Sequence, residues 1–429
     1  YRWSEERERW ELVGVPSRIQ VIFQGFSSQA ICYDRETEVL TRSGWKRFEE
    51  LTYDDEVATL NPKTRVIEYS KPVQIVSYDY TGKMYHFHGR KFDLMVTPNH
   101  WMWASRWIKG KRTEPRFIQA RDLTRGTLTF YAGGKWNCST PETVTIPGYT
   151  TTWEISNNVK KEYVQPDVTV GIVDWLRFLG WYISEGCLHK WYVDITQDPD
   201  SPYFSEIVEV IERMGYEPKV YDNHIRVYNK ALVEYLSRYG GHNYDKHLTQ
   251  QEKELSPELL EILLSTMVKG DGYDRGTYIA YITASKQLAD DVQEIALKTG
   301  KVARIYWRPG RKTVIRGKEY ETKGYYEVII AKQTELYVSP RRNLDIVDYS
   351  GKVYCAYVPP NSILYVRRNG KPVWCGNTHM GYAIPILSEK GGIIKFLEDW
   401  CYQFIYDPNY TIEQCAKLRE EKKKKAEEE

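Results

Sequence analysis

The 429-residue sequence contains no apolar run approaching the roughly 18 residues of a membrane-spanning helix. Its opening, Tyr1-Arg2-Trp3-Ser4, is polar and lacks Met, and reads as an internal fragment of a longer chain, not a signal peptide. Cysteine is sparse and scattered, at Cys32, Cys138, Cys187, Cys355, Cys375, Cys401 and Cys415, without a Cys-x-x-Cys pair. This pattern argues against a disulfide scaffold and a zinc ribbon, and fits a reducing, cytoplasmic setting. No charge sign dominates: 60 Lys and Arg against 58 Asp and Glu leave +2, which excludes a polycationic nucleic-acid coat. Any nucleic-acid surface must therefore be local. Apolar residues are plentiful at 41%, which excludes a disordered chain, and tyrosine reaches 35 residues.

The texture changes along the chain. One strand is expected at Arg18–Phe23. From Cys32 to about Tyr131, short β runs alternate with turn signals such as Asn61-Pro62 and Thr81-Gly82, as in an all-β domain. Phe48–Thr52 followed by Val57–Leu60 is echoed by Ile118–Thr124 followed by Thr127–Phe130, which suggests an internally duplicated β fold. The Thr/Asn/Gly-rich stretch 132–165 reads as linker or strand insertions. Over 166–335 the pattern becomes helix–strand–strand–helix, twice, with helices expected at Asp174–Ser184, Tyr203–Met214, Lys230–Tyr239, Ser256–Val268 and Ser285–Thr299. Short β texture then resumes to Val373. A β unit interrupted by an α/β unit implies an inserted domain. Beyond it, a strand at Tyr382–Leu387, a helix at Gly392–Tyr402 and a charged tail are expected.

Three segments carry chemistry in the β texture. They are Cys32-Tyr33-Asp34-Arg35-Glu36-Thr37-Glu38-Val39-Leu40-Thr41, Val96-Thr97-Pro98-Asn99-His100, and Val353-Tyr354-Cys355 through Asn369–Asn377, followed by Thr378. Together and in this order they resemble the blocks of inteins, self-splicing elements of the Hint fold. A thiolate is a better nucleophile than a hydroxyl near neutral pH. The resemblance implies that Cys32 attacks the Ile31 carbonyl, that His100 protonates the departing amine, and that Thr97 holds the scissile amide. It further implies that Thr378 takes over the acyl group and that Asn377 cyclises to cut the chain, joining Ile31 to Thr378. Gly376 stands where the family usually has histidine, with His379 the only histidine nearby. Cys355 stands where many members have aspartate, and is either a titrating helper or a relay nucleophile. A later assisting histidine is replaced near Ser362. Cys375 is expected to pack.

Two further segments are Phe178–Gly186 and Leu264–Gly272. In each, small residues at i and i+4 (Gly180/Ser184, Thr266/Gly270) allow two helices to pack closely, and Gly186 and Gly272 are expected to end the helices in a permissive conformation. Glu185 and Asp271 then meet on a pseudo-twofold axis, where two carboxylates repel each other unless a divalent cation neutralises them. Both segments resemble the LAGLIDADG motif of homing endonucleases. The resemblance implies Mg²⁺ held by Glu185 and Asp271, with Lys246 supporting catalysis and Lys301 or Lys332 as candidate counterparts. It also implies strand residues facing double-stranded DNA: Tyr192, Asp194, Arg226, Tyr228, Tyr278, Tyr281, Arg304, Tyr306, Arg308, Tyr325 and Tyr326. Arg304–Lys318, rich in Lys and Arg and free of acids, is the best basic patch, and Arg106–Arg116 is a second.

The expected architecture is a mainly β Hint-type splicing domain interrupted by an α/β LAGLIDADG domain of αββα repeats related by a pseudo-twofold. Its expected divisions are a flank at 1–31, splicing segments at 32–165 and 336–377, an endonuclease at 166–335, and a second flank at 378–429. The expected activities are autocatalytic splicing, without cofactor, and cleavage of the intein-less host gene by a monomer. The alternatives are a non-catalytic two-repeat DNA-binding regulator, or a splicing element with a degenerate endonuclease.

Overall fold

Short β runs broken by turns leave one apolar face per strand, and here those faces close on one another in three antiparallel sheets. The computed structural model describes residues 2–4, 9–11, 31–156, 159–310, 312–315, 318–321 and 323–377. The expected strand Arg18–Phe23, together with Thr378, His379 and everything expected over 378–429, lies outside the described residues. The first sheet places Lys371–Gly376 and Ile363–Arg368 beside Glu38–Thr41, Val57–Leu60 and Ile67–Ser70, so the end of the element pairs with its beginning (Val366 opposite Val39). The second contains Trp101–Ile108, Arg116–Gln119 and Leu128–Tyr131. In the third, Leu344–Tyr357 runs antiparallel to Gln74–His88, which also pairs with Asp93–Val96. The sequence echo is structural: Phe48–Glu50 and Ala120–Asp122 are single 3-10 turns, each leading into a strand. The 132–165 stretch holds strand insertions, including a hairpin of Tyr149–Ser156 with Val159–Gln165.

The inserted unit contributes helices α1 (Ile172–Glu185), α2 (Phe204–Arg213), α3 (Lys230–Leu236), α4 (Gln250–Lys253), α5 (Pro257–Asp271) and α6 (Lys286–Lys298). Its two four-stranded sheets share one order, first-second-fourth-third. One is built from Gly186–Leu188, Val193–Thr196, His224–Val227 and Lys219–Tyr221; the other from Gly272–Asp274, Ile279–Thr283, Tyr325–Ala331 and Val302–Arg308. This is the pseudo-twofold repeat expected from the sequence. No described helix is long and apolar enough to cross a membrane.

The chain returns from the insert as Glu335–Val338, pairing directly with Leu128–Tyr131. A single apolar cluster spans both units, running from Leu40 and Trp374 to Trp181 and Leu263. A buried ion pair also crosses between them. Arg367, 1% exposed, bonds Glu38 at 2.6 Å on its own sheet and Asp290 (2.6 Å) and Gln293 (2.8 Å) on α6, with its guanidinium 4.2 Å from the Trp45 ring centroid. Removing one member of such a pair leaves the other charge stranded. Arg367→Ala is therefore expected to cost about 3 kcal/mol of stability, read from urea denaturation of the full chain.

Candidate functional site

Cys32, Thr97, His100, Cys355 and Asn377 come from distant segments, and all five are buried. The strand Asp93–Val96 ends in a turn, closed by the His100 N–H donating to the Thr97 carbonyl at 3.0 Å, that aims both side chains inward. The Cys32 N–H, which belongs to the expected scissile amide, donates to Thr97 Oγ1 at 3.0 Å, and the Thr97 N–H donates to the Cys32 carbonyl at 3.0 Å. Burial, then the charge of Cys355, pushes the Cys32 thiol well up from its ordinary value. Burial also pulls the His100 imidazole down to about 3, opposed by the carbonyls of Gly376 and Ile31. The resting centre therefore holds a neutral thiol and a neutral imidazole, and proton transfer must accompany attack.

At the other end, the Asn377 N–H donates to the Ser362 carbonyl at 3.1 Å and its side-chain amide to the Val358 carbonyl at 3.4 Å. Ser362 thus touches the asparagine through its backbone. Cys375 is fully buried, as expected of a packing residue, yet its Sγ lies 3.4 Å from His100 Nε2. Sequence reasoning missed Tyr33, whose hydroxyl donates to the Gly376 carbonyl. Its signal was only its place beside Cys32.

In the insert, α1 and α5 pack at their small residues. A Cβ added to Gly180 would lie 2.7 Å from Thr266 Cβ, and one on Gly270 would lie 2.6 Å from Ser184 Cβ. The helix-ending glycines are needed for another reason than the one expected. Gly186 (φ −94°) and Gly272 (φ −136°) are extended, a conformation open to any residue. What excludes a side chain is close approach: a Cβ would meet the Tyr182 carbonyl oxygen at 2.6 Å, or the Val268 and Ala280 carbonyl oxygens at 2.7 Å.

Glu185 and Asp271 end α1 and α5 side by side. Burial raises Glu185, and burial together with the Glu185 charge raises Asp271 to about 7. Lys246 is buried beside them; its ammonium donates to the Tyr182 carbonyl at 2.9 Å, and burial lowers it to about 7. The proposed counterparts are not equivalent, since Lys301 is bonded to Glu261 and Lys332 is exposed. Among the described residues no His, Cys, Asp or Glu group of three or more could hold a metal. Two half-buried carboxylates at neighbouring helix ends nevertheless fit a hard dication that takes its remaining ligands from phosphate and water.

The expected DNA-facing strands divide. Tyr228 and Tyr325 are exposed, and Arg226 lies within 5.2 Å of the Tyr192 ring centroid. Tyr281 is fully buried, and Asp194 nearly so. Arg304 is also buried, donating to the Lys91 carbonyl at 2.9 Å, while Tyr306 donates to the Arg90 carbonyl. The start of the basic run therefore faces the β unit at Arg90 and Lys91 and not solvent. Arg308 is exposed but paired with Glu327. In the second patch, Lys109 and Lys111 are exposed and Arg112 pairs with Glu335.

Residues 258–339 match the family described as a LAGLIDADG-like domain. The match falls on the second repeat of the inserted unit, which is similar to that family. Over the wider chain, the DNA-directed RNA polymerase subunit beta C-terminal section of Stigeoclonium helveticum is 26% identical, covering 84% of this chain and 37% of that protein. The ATP-dependent Clp protease proteolytic subunit of Chlamydomonas moewusii is 25% identical, covering 80% and 35%. The chain thus spans only about a third of the length of these curated relatives. Among solved structures, the PabCDC21-1 intein is 22% identical, with TM-score 0.20, covering 33% of this chain and 89% of that one. I-DmoI in complex with DNA and Mn is 13% identical, with TM-score 0.26, covering 37% and 90%.

Proposed function

We propose that residues 32–377 form a self-excising splicing element and that its LAGLIDADG unit is a site-specific, double-strand DNA endonuclease. The observation carrying the first part is that Cys32, Thr97, His100 and Asn377 are all buried, with Thr97 bonded to the Cys32 amide and His100 against the carbonyls of Ile31 and Gly376, next to the two junctions. Cys32 Sγ attacks the Ile31 carbonyl carbon and the Ile31–Cys32 amide breaks, with His100 carrying the proton to the released amine. The Thr378 hydroxyl then takes the acyl group from sulfur. Asn377 cyclises, and an O-to-N shift leaves an Ile31–Thr378 peptide bond. Cys355, buried in the same cluster as Cys32, is assigned as a titrating helper or a relay nucleophile.

The relatives support an insert over a shared host activity, because one is named for a polymerase and the other for a protease. The described cysteines are free thiols, as a reducing compartment such as the cytoplasm would keep them. Freshly expressed chain followed by mass spectrometry tests the reading. A fragment of residues 32–377 and a ligated 1–31/378–429 product are expected; an intact chain after long incubation with thiol would overturn it.

In the LAGLIDADG unit, Glu185 and Asp271 would hold Mg²⁺, which when bound stabilises charge on phosphate and activates water. Lys246 supplies a partly protonated ammonium beside the acid pair. Both repeats lie in one chain, so a monomer carries the complete site. Incubation with DNA in which the codons for Ile31 and Thr378 are joined should give double-strand breaks with Mg²⁺ and none with chelator. DNA left uncut in both would leave splicing as the only activity.

A further inference from the structure

Nothing so far assigns Tyr33, although it is fully buried beside both ends of the element. Its ring stacks on Phe48 (centroids 5.1 Å apart, 14° between planes) and meets His100 edge-on at 4.3 Å. Its backbone is fixed by two hydrogen bonds with Tyr354: the Tyr33 N–H donates to the Tyr354 carbonyl at 2.8 Å, and the Tyr354 N–H returns one at 2.9 Å. From this anchored position the hydroxyl reaches the Gly376 carbonyl, which is separated from it by 343 residues of sequence.

That carbonyl belongs to the peptide group joining Gly376 to Asn377. The N–H of the same group donates to the Ser362 carbonyl at 3.1 Å. Both polar atoms of one peptide plane are thus held, the nitrogen by Ser362 and the oxygen by the Tyr33 hydroxyl, with the His100 ring against the same oxygen. Asparagine cyclisation closes a ring within a single residue, so it depends on the orientation of the backbone entering that residue. A misplacement of about 1 Å can cost a hundredfold in rate. The position before Asn377 has no side chain of its own to help.

We propose that Tyr33 is a positioning residue for the asparagine step, and that it ties downstream cleavage to the residue next to the upstream nucleophile. The inference rests on the splicing reading above. In the step it serves, Asn377 Nδ2 bonds to the Asn377 carbonyl carbon and the bond to the nitrogen of residue 378 breaks. The proton lost from Nδ2 ends on the released amine, so no co-reactant is needed. Because Tyr33 directly follows Cys32, a shift of Cys32 during acyl transfer reaches the Gly376–Asn377 plane through the Tyr33 hydroxyl, alongside the His100 contact to the same oxygen.

The test introduces Tyr33→Phe into full chains that isolate each junction. Asn377→Ala leaves only upstream chemistry, read as thiol-induced cleavage between residues 31 and 32. Cys32→Ala leaves only downstream cleavage between residues 377 and 378. Loss of the hydroxyl should slow downstream cleavage about 10- to 100-fold and change upstream cleavage by less than about threefold. Normal upstream cleavage in the Tyr33→Phe chain also shows that the centre is folded. Equal losses at both junctions would reduce Tyr33 to packing, and an unchanged downstream rate would remove the hydroxyl from the mechanism; either overturns the proposal. If chains with native Tyr33 cleave at neither junction, the splicing reading itself fails, a result distinct from a selective loss.

Discussion

Gly376→Ala should stop splicing, and Gly376→His, which restores the residue the intein resemblance leads one to expect, should fail as well. A Cβ at this position would lie 2.2 Å from the Trp101 carbonyl oxygen and 3.2 Å from the Phe117 ring. The first obstacle is backbone within a paired strand, which cannot rotate aside as a side chain can. Relief requires the strand Lys371–Gly376 to lift away from Trp101–Ile108, breaking the bond from Tyr33 and displacing Asn377 from Ser362. Loss of more than about a hundredfold in rate is expected, followed as precursor disappearance by mass spectrometry. A histidine variant that splices as fast as the parent would show that the strand moves freely and that the close approach is immaterial.

Asp271→Asn should lower DNA cleavage by about a thousandfold while making the metal-free protein more stable at alkaline pH. The folded chain holds the Asp271 proton up to about pH 7, because of burial and the neighbouring Glu185 charge. An unfolded chain releases it near 4. Between these limits the folded state binds more protons, so stability falls as pH rises from 4 through 7. Asparagine has no charge to repel, so thermal melts at pH 8 without dication should shift upward by several degrees, and melts at pH 4 should not move. Mg²⁺ should raise the melting temperature of the parent but not of the variant. Glu185→Gln should abolish cleavage in the same assay. Full cleavage by either variant would remove the acid pair from the chemistry.

Local pattern carried a large share of the architecture. The i, i+4 small residues of α1 and α5 name the helix contact and bring Glu185 to Asp271, because a helix fixes which residues share a face. Cys32, Thr97 and His100 stand out in the sequence through the resemblance of their segments to intein blocks, and the fold buries all three. What stayed hidden depends on the partner across space. Tyr33 reads as one aromatic among 35 tyrosines until the Gly376 carbonyl is placed against it. Arg304 and Tyr281 belong to alternating strands whose second face looks open to solvent, yet packing against Lys91 or the helix pair closes it. Gly376 looks like a missing histidine; only the Trp101 carbonyl shows why histidine has no room there.

The strand Glu335–Val338 rejoins the sheet beside Leu128–Tyr131, so the inserted unit enters and leaves at neighbouring points and a short loop could bridge its removal. Arg367 changes the history such a deletion can follow. A lineage that loses α6 strips Asp290 and Gln293 from a cation already inside the protein, and selection must then replace Arg367 or retain that helix. Degeneration by point mutation at Glu185 or Asp271 carries no such penalty, so in descendants of this chain the nuclease activity should disappear before the nuclease fold.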